Sequence, residues 1–386
     1  MPKKNKLLFL KRITSSFVTI YLIGFQIGIL TSCIDSDSNK NQSINNEWKS
    51  ETSHSKYLKI YCNQKGVRID ISHPDIRNQT YKYFIPKHKK SPVPIGYIAL
   101  SNKTKSMIVL SSTHIGMLKE LNELDRIKGV VSKKYIYNKE IIDKISKKQI
   151  REFGNDGNPS FEKLLKTKAD ILIYSGFTKD YPKSKELARA GLNCIPNFDW
   201  KEVDPLGRAE WILFFGYLTG KQEIAKKYMN SIEIEYNKIC LKAKKSNQKP
   251  TVFSGNITGE FWYAPGGKSY MSKIFNDANC NYTYKNDKTV GSIPISFEKI
   301  FTQNKKTEFW FNPGINSKQE IIKANPKANL FDSYIKNKVF CYTKNSNKFW
   351  ELSASHPHWI LSDILNITNP KTINSEDYYF YEKIEN

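Results

Sequence analysis

SFEKLLKTKADILIYSG, residues 160–176, and SFEKIFTQNKKTEFWFNPG, residues 296–314, are two versions of one phrase in a single chain. Each opens Ser-Phe-Glu-Lys, runs through a helical turn or two and closes on an apolar stretch ended by Gly. A serine just ahead of such a turn suits a helix N-cap. A short apolar run bounded by glycine suits a buried strand. Repetition of this helix–strand unit predicts two similar α/β halves, and it sets a carboxylate, Glu162 or Glu298, at the same place in each.

The surroundings of both copies continue the pattern. Near the first, SMIVL (106–110) and GVVS (129–132) read as strands, and HIGMLKELNEL (114–124) and KEIIDKI (139–145) as helices. SKELARA (184–190) and NCI (193–195) then add a helix and a strand. Around the second copy, TVFSG (251–255) and KVFCY (338–342) read as strands. SYMSKIFNDA (269–278), SKQEIIKA (317–324) and SHPHWILSDILNI (355–367) read as helices. Strands alternating with helices imply mainly parallel sheets. Between the halves, PLGRAEWILFFGYLTG (205–220) makes a helix, with Pro205 at its start and Gly220 at its stop. Residues 221–244 follow without Pro or Gly, with Ile224, Ala225, Tyr228, Met229, Ile232, Tyr236 and Ile239 at helical spacing. A helix of that length spans about 36 Å, a stiff strut.

Ahead of the first half, LKIYC, VRIDI, YKYFI and GYIAL, within 57–100, read as short strands separated by turn residues. The expected fold is therefore α/β: two lobes with mainly parallel sheets joined by one long α-helix, with extra N-terminal β-strands. The lobes are placed at 57–205 and 246–370, the linking helices at 206–245, and an acidic, aromatic tail at 371–386.

The first residues address the chain. Lys3, Lys4, Lys6, Lys11 and Arg12 precede an apolar run from Phe17 to Leu30, and LTSC (30–33) follows. Residues 1–32 read as a secretory signal, to be set apart from the fold. Small residues before a cysteine resemble a bacterial lipobox, which would make Cys33 the lipidated N-terminus. An uncleaved membrane anchor is the alternative, since the apolar run is near the lower limit for a span. Residues 33–56, polar and rich in Ser and Asn, read as a flexible tether.

The net charge of +24 raises the question of nucleic acid. The lysines are scattered, however, and no helix-turn-helix, zinc-finger or RNP pattern accompanies them. An exported chain also rarely meets nucleic acid, so the charge reads as a solvated surface. Beyond Cys33, Cys62, Cys194, Cys240, Cys280 and Cys341 form no CxxC pair, and their spacing specifies no disulfide. GxSxG, P-loop and HExxH patterns are missing. GGKS (266–269) lacks the full phosphate-loop spacing, and its segment follows no predicted strand directly.

PVPIGY (92–97), LSSTHIGMLKEL (110–121), GRAEWILFFGYLTGK (207–221), GKSYM (267–271), FWFNPG (309–314) and FWELSASHPHWILSDIL (349–365) together resemble a known family. It comprises the substrate-binding lipoproteins of bacterial ABC importers, in the single-backbone-helix class that captures cobalamin, haem or ferric siderophores. The resemblance covers most of the chain, from about Ser91 to Pro370. It implies capture of a metal chelate between the lobes and delivery to an ABC permease. It also implies a monomer with no resident cofactor, held to the membrane only by its lipid. One surface acid per lobe docks on the permease in this family, and the matching positions are Glu162 and Glu298. Both also suit the positive end of a capped helix, which is a purely structural role.

Ligands of open α/β sheets lie beyond the carboxyl ends of the strands. Those ends offer Thr113, His114, Ser175 and Trp200 in the first lobe. In the second they offer Asn256, Trp262, Tyr263, Tyr270, Asn312, Trp350 and Glu351. Aromatic loops suit a flat or greasy chelate, whereas Trp310 and Trp359 read as core. No resident metal site is expected. A free zinc or manganese carrier is the minor reading, because only His114 is placed for it among the three or four ligands needed. A surface-anchored hydrolase is the competitor from another class.

Overall fold

The computed structural model describes residues 47–88, 90–154, 159–176, 180–373 and 378–385. The signal segment, Cys33 and the tether up to residue 46 lie outside the described residues.

Alternating apolar residues build the first sheet. Strands β1 (Lys49–Ser50), β2 (Leu58–Cys62), β3 (Gly66–Ser72), β4 (Thr80–Pro86) and β5 (Ile98–Ala99) lie side by side in chain order. All neighbours are antiparallel except β4 and β5. Leu58, Ile60, Ile69 and Ile71 point inward and are fully buried, as a period of two requires.

The first lobe follows as β6 (Met107–Val109), α1 (Ser112–Glu120), β7 (Ile127–Val130), α2 (Lys139–Ser146), β8 (Arg151–Glu152), α3 (Phe161–Leu165), β9 (Ile171–Ser175), α4 (Ser184–Arg189) and β10 (Asn193–Asn197). Its sheet is parallel, in the order β10-β9-β6-β7-β8.

Three helices link the lobes: α5 (Pro205–Ala209), α6 (Ile212–Thr219) and α7 (Gln222–Lys244). Pro205 stands at the first position of α5, and Asp204 caps it by accepting from the Leu206 amide. Gly220 ends α6 with φ of 74°, a left-handed turn that glycine adopts at little cost. Every residue of α6 is buried. The 23-residue α7, about 35 Å long, buries one stripe that includes Ala225, Met229, Ile232, Tyr236 and Ile239.

The second lobe contains β11 (Thr251–Ser254), β12 (Asn256–Thr258), β13 (Phe261–Pro265), α8 (Tyr270–Asp277), β14 (Asn281–Tyr282), β15 (Ser292–Ile295), α9 (Phe297–Asn304) and β16 (Phe309–Phe311). It continues through α10 (Lys318–Ala324), α11 (Asp332–Ile335), β17 (Val339–Cys341), α12 (Ser346–Leu352), α13 (Pro357–Thr368), α14 (Pro370–Ile373) and β18 (Glu382–Lys383). The main sheet runs β14-β11-β16-β17-β18, parallel except for β18. A small antiparallel sheet, β12-β13-β15, stands beside it.

The two lobes share one plan. β7-β6-β9-β10 in the first corresponds to β14-β11-β16-β17 in the second. The repeated Ser-Phe-Glu-Lys opens α3 and α9, which lead into the corresponding strands β9 and β16. Ser160 accepts from the Lys163 amide and Ser296 from the Lys299 amide, each at 3.4 Å. The caps expected from the sequence are formed.

Two expected boundaries move. The tether expected to reach residue 56 ends sooner, because residues 49–56 are strapped onto the body. Glu210 accepts from the amides of Ser53 (2.7 Å), His54 (3.1 Å) and Ser55 (2.7 Å). Glu202 accepts from the amides of Lys56 (2.9 Å) and Tyr57 (3.1 Å) and from the Ser55 hydroxyl. The tail, set apart at 371, returns to the second lobe: Asp363 accepts from the amides of Tyr379 (2.8 Å), Phe380 (2.7 Å) and Tyr381 (3.0 Å). β18 then pairs with β17.

The lobes also meet away from α7. Helix α12 packs on α1, where Gly116 lies so close that a Cβ would strike the Glu351 carbonyl. Across this seam Glu351 Oε2 accepts from the amides of Tyr137 (2.8 Å) and Asn138 (3.1 Å). Asn347 donates to the Lys134 carbonyl at 2.8 Å.

Candidate ligand-binding cleft

Two hollows open at the carboxyl ends of the parallel strands. One, of about 400 Å³, lies mainly on the first lobe and is bordered by Ser111, Thr113 and Ser175. The other, of about 450 Å³, lies on the second lobe and is bordered by Asn256, Tyr263, Tyr270, Asn312 and Tyr342. Trp200, Arg208 and Trp350 border both. The same sheet plan explains this pairing, because each hollow forms where the connections after the first and third strands diverge. Volumes of a few hundred Å³ each are in the range of small-molecule sites.

Of the eleven ligand candidates, Thr113, Ser175, Trp200, Asn256, Tyr263, Tyr270, Asn312 and Trp350 border one or both hollows. Tyr263 and Trp350 are substantially exposed there, at 40% and 45%. These side chains provide large faces for stacking. Asn312 adopts φ of 57°, a left-handed turn that Asn tolerates. Its amide group donates to Ser254 Oγ (3.4 Å) and the Tyr381 hydroxyl (3.2 Å).

Three candidates turn away. His114 is fully buried beside Phe215 and forms no part of either wall. Burial holds its imidazole neutral, its pKa pushed down to about 3, and neither ring nitrogen has a hydrogen-bond partner among the described residues. Trp262 is 1% exposed, packed among Phe253, Trp310 and Phe331, with its indole N–H given to the Ser254 carbonyl at 3.1 Å. Glu351 is fully buried and occupied by the lobe seam. Helical rotation decides the first and last of these, since neighbours one residue apart face different ways.

Sequence reading missed the centre of the cleft. Arg208, on α5, is 3% exposed and its Nε lies 3.4 Å from Asp199 Oδ2. Its guanidinium lies 4.8 Å from the centre of the Tyr270 ring, within reach of a cation–π contact. Asp199 is 1% exposed and lies beside the Thr113 hydroxyl. Burial raises its proton affinity, and Arg208 opposes that rise. Asp199 from the first lobe, Arg208 from the link and Tyr270 from the second lobe thus form one continuous group. The sequence signal was an arginine inside the mostly apolar stretch 205–220.

A family model described as "Periplasmic binding protein" matches residues 107–345. The chain belongs to this family. An uncharacterized lipoprotein of Methanocaldococcus jannaschii is 26% identical, over 93% of this chain and 94% of its own. A possible iron-binding periplasmic solute-binding protein of Staphylococcus epidermidis shares the fold, with a TM-score of 0.55 and 17% identity. That match covers 69% of this chain and 99% of the other. A periplasmic haem-binding protein of Vibrio cholerae superposes with a TM-score of 0.54 and 12% identity, covering 68% and 98%.

In this periplasmic binding fold Glu162 and Glu298 are exposed at the second positions of α3 and α9. GGKS does follow a strand, contrary to the sequence reading, but that strand is β13 of the small sheet. Its amides are already used: Gly266 donates to the Gly291 carbonyl (2.8 Å) and Lys268 to Thr289 (3.0 Å). A phosphate would find no free cradle of those donors. Pro357 stands at the first position of α13, and the His356 imidazole makes no cap bond there: its ring nitrogens lie 3.1 Å from the Tyr228 hydroxyl and 3.0 Å from Ser355 Oγ. Among the described residues no group of three or more His, Cys, Asp or Glu is arranged to hold a metal ion. No helix among them is long and apolar enough to cross a membrane.

Proposed function

We propose that this chain is the extracytoplasmic capture component of an ABC importer, binding a metal chelate (a ferric siderophore, haem or a corrinoid) between its lobes. The observation that carries the reading is the pair of hollows sharing Trp200, Arg208 and Trp350 at the carboxyl ends of two like-ordered sheets. Aromatic walls fit a broad, flat or greasy ligand better than a bare ion, which needs a compact set of converging ligands. The proteins of similar fold, one a possible iron binder and one a haem binder, are consistent with this. So is the lipoprotein relative, which supports an envelope location with Cys33 as the lipidated residue. In the same reading Glu162 and Glu298 dock the lobes on the permease, and the protein acts by binding and release.

The absorption spectrum of protein purified from its native host tests the ligand class. A Soret band, corrin bands or ferric charge-transfer bands are the expected results. A colourless protein that also ignores haemin, cyanocobalamin and ferric siderophores in titration would overturn the proposal.

A further inference from the structure

We infer that the captured ligand carries an anionic group, a carboxylate or similar oxyanion, which seats on the Arg208 guanidinium at the centre of the cleft. The inference rests on the chelate-capture reading and narrows its ligand class.

Among the described residues, four charged side chains border the two hollows: Asp199, Lys201, Glu202 and Arg208. Three are committed elsewhere. Lys201 pairs with Asp75 at 3.0 Å. Glu202 holds the Ser55 hydroxyl, the amides of Lys56 and Tyr57 and the indole N–H of Trp211 (3.1 Å). Asp199 faces Arg208 and Thr113. Arg208 is the buried cation among the four, and it has capacity to spare. Its guanidinium has five N–H donors in a planar fork, and Nη1 finds no acceptor among the described residues.

A buried donor without an acceptor is costly, more so on a cation. A purely structural arginine between Asp199 and Tyr270 would gain by completing its bonds with protein groups. This one borders both hollows with Nη1 unsatisfied. An oxyanion on the ligand would satisfy that edge and balance the charge that Asp199 meets from one side only, through a single contact of 3.4 Å. A neutral chelate of the same shape would fill the aromatic walls and leave the donor orphaned. The consequence is selection by charge: the walls accept a class of shapes, and Arg208 chooses its acidic members.

The test uses purified full-length protein and matched probes. These are haemin against its dimethyl ester, cyanocobalamin against its monocarboxylic acid derivative, and a ferric tris-catecholate against a neutral ferric tris-hydroxamate. In whichever pair binds, the anionic member should bind about 10- to 100-fold more tightly to the wild type, the span of a charge-assisted hydrogen bond. Arg208→Gln should erase that preference by weakening the anionic member alone, and Arg208→Lys should keep part of it. Thermal melts of both variants separate lost folding from lost recognition. Equal binding of both members of a pair to the wild type overturns the inference and needs no variant. If no probe binds, the chelate reading itself falls, and the charge preference falls with it.

Discussion

Glu162 and Glu298 occupy the same helical position in two lobes, each exposed and two residues past a capping serine. A docking role and a helix-dipole role separate on measurement. Glu162→Ala or Glu298→Ala is predicted to weaken docking and uptake, the double change more than either, with ligand affinity unchanged. A dipole role alone would instead cost about 0.3–1 kcal/mol of stability. Normal uptake by the double variant would sink the docking role. His114 carries a different prediction. Its imidazole has a folded pKa of about 3, below the ordinary value of about 6.5. Between those values the unfolded chain takes up a proton that the folded chain refuses. This contribution to stability is therefore complete above pH 6.5 and is lost as pH falls, by up to about 1.4 kcal/mol per pH unit. His356 and His358, lowered to about 3 and about 4 by burial, add to the same trend. Denaturant titrations from pH 7 to 4 should show a shallower loss for His114→Leu than for wild type. An unchanged slope would count against a neutral buried imidazole. That burial was not legible beforehand. The sequence places His114 next to Thr113 at a strand end, and only the rotation of α1 against α6 sends one side chain to the cleft and the other to Phe215.

Among the elements, α12 sets how the lobes are held. Its Glu351 accepts two backbone amides from the opposite lobe while fully buried. Glu351→Ala would leave both donors unsatisfied, for a predicted loss of about 2–4 kcal/mol of unfolding free energy. Chemical denaturation reads this directly, and a loss below about 0.5 kcal/mol would show that water replaces the carboxylate. The helices and strands with strong periodicity, such as α7 and the β2–β4 strands, were legible because burial of one face writes itself into spacing. The strap at 49–56 and the returning tail were not. Both are held by backbone amides on distant carboxylates, Glu202, Glu210 and Asp363. Backbone bonds of this kind place no demand on side chains, and the hydroxyls of Ser53 and Ser55 that join them are as polar as a free tether's, so the segment's composition reads as one. The small sheet β12-β13-β15 escaped for a related reason: its strands are short, and half-exposed Phe261 and Tyr263 blur the alternation.

For the whole molecule, the seam between α1 and α12 adds to the stiffness of α7. Scattering profiles with and without saturating ligand are therefore predicted to give nearly the same radius of gyration. A marked compaction would mean that the α1–α12 seam opens in solution. Attachment has its own check: Cys33→Ser should release the protein from membranes or leave it unprocessed. Soluble wild-type protein with a mature N-terminus elsewhere would refute lipidation at Cys33. The two-lobed plan was legible because the Ser-Phe-Glu-Lys repeat marks the same point in both sheets. The charged centre of the cleft was not, since Asp199, Arg208 and Tyr270 come from three separate regions that only folding brings together. The returning tail has one more consequence. β17 is a Val-Phe-Cys run, buried throughout, and the strand beside it is the exposed Glu382–Lys383 pair. Charged residues on an outermost strand discourage pairing with another molecule. Loss of β18 would present an apolar ladder edge to solvent, and molecules would become prone to joining edge to edge into insoluble aggregate.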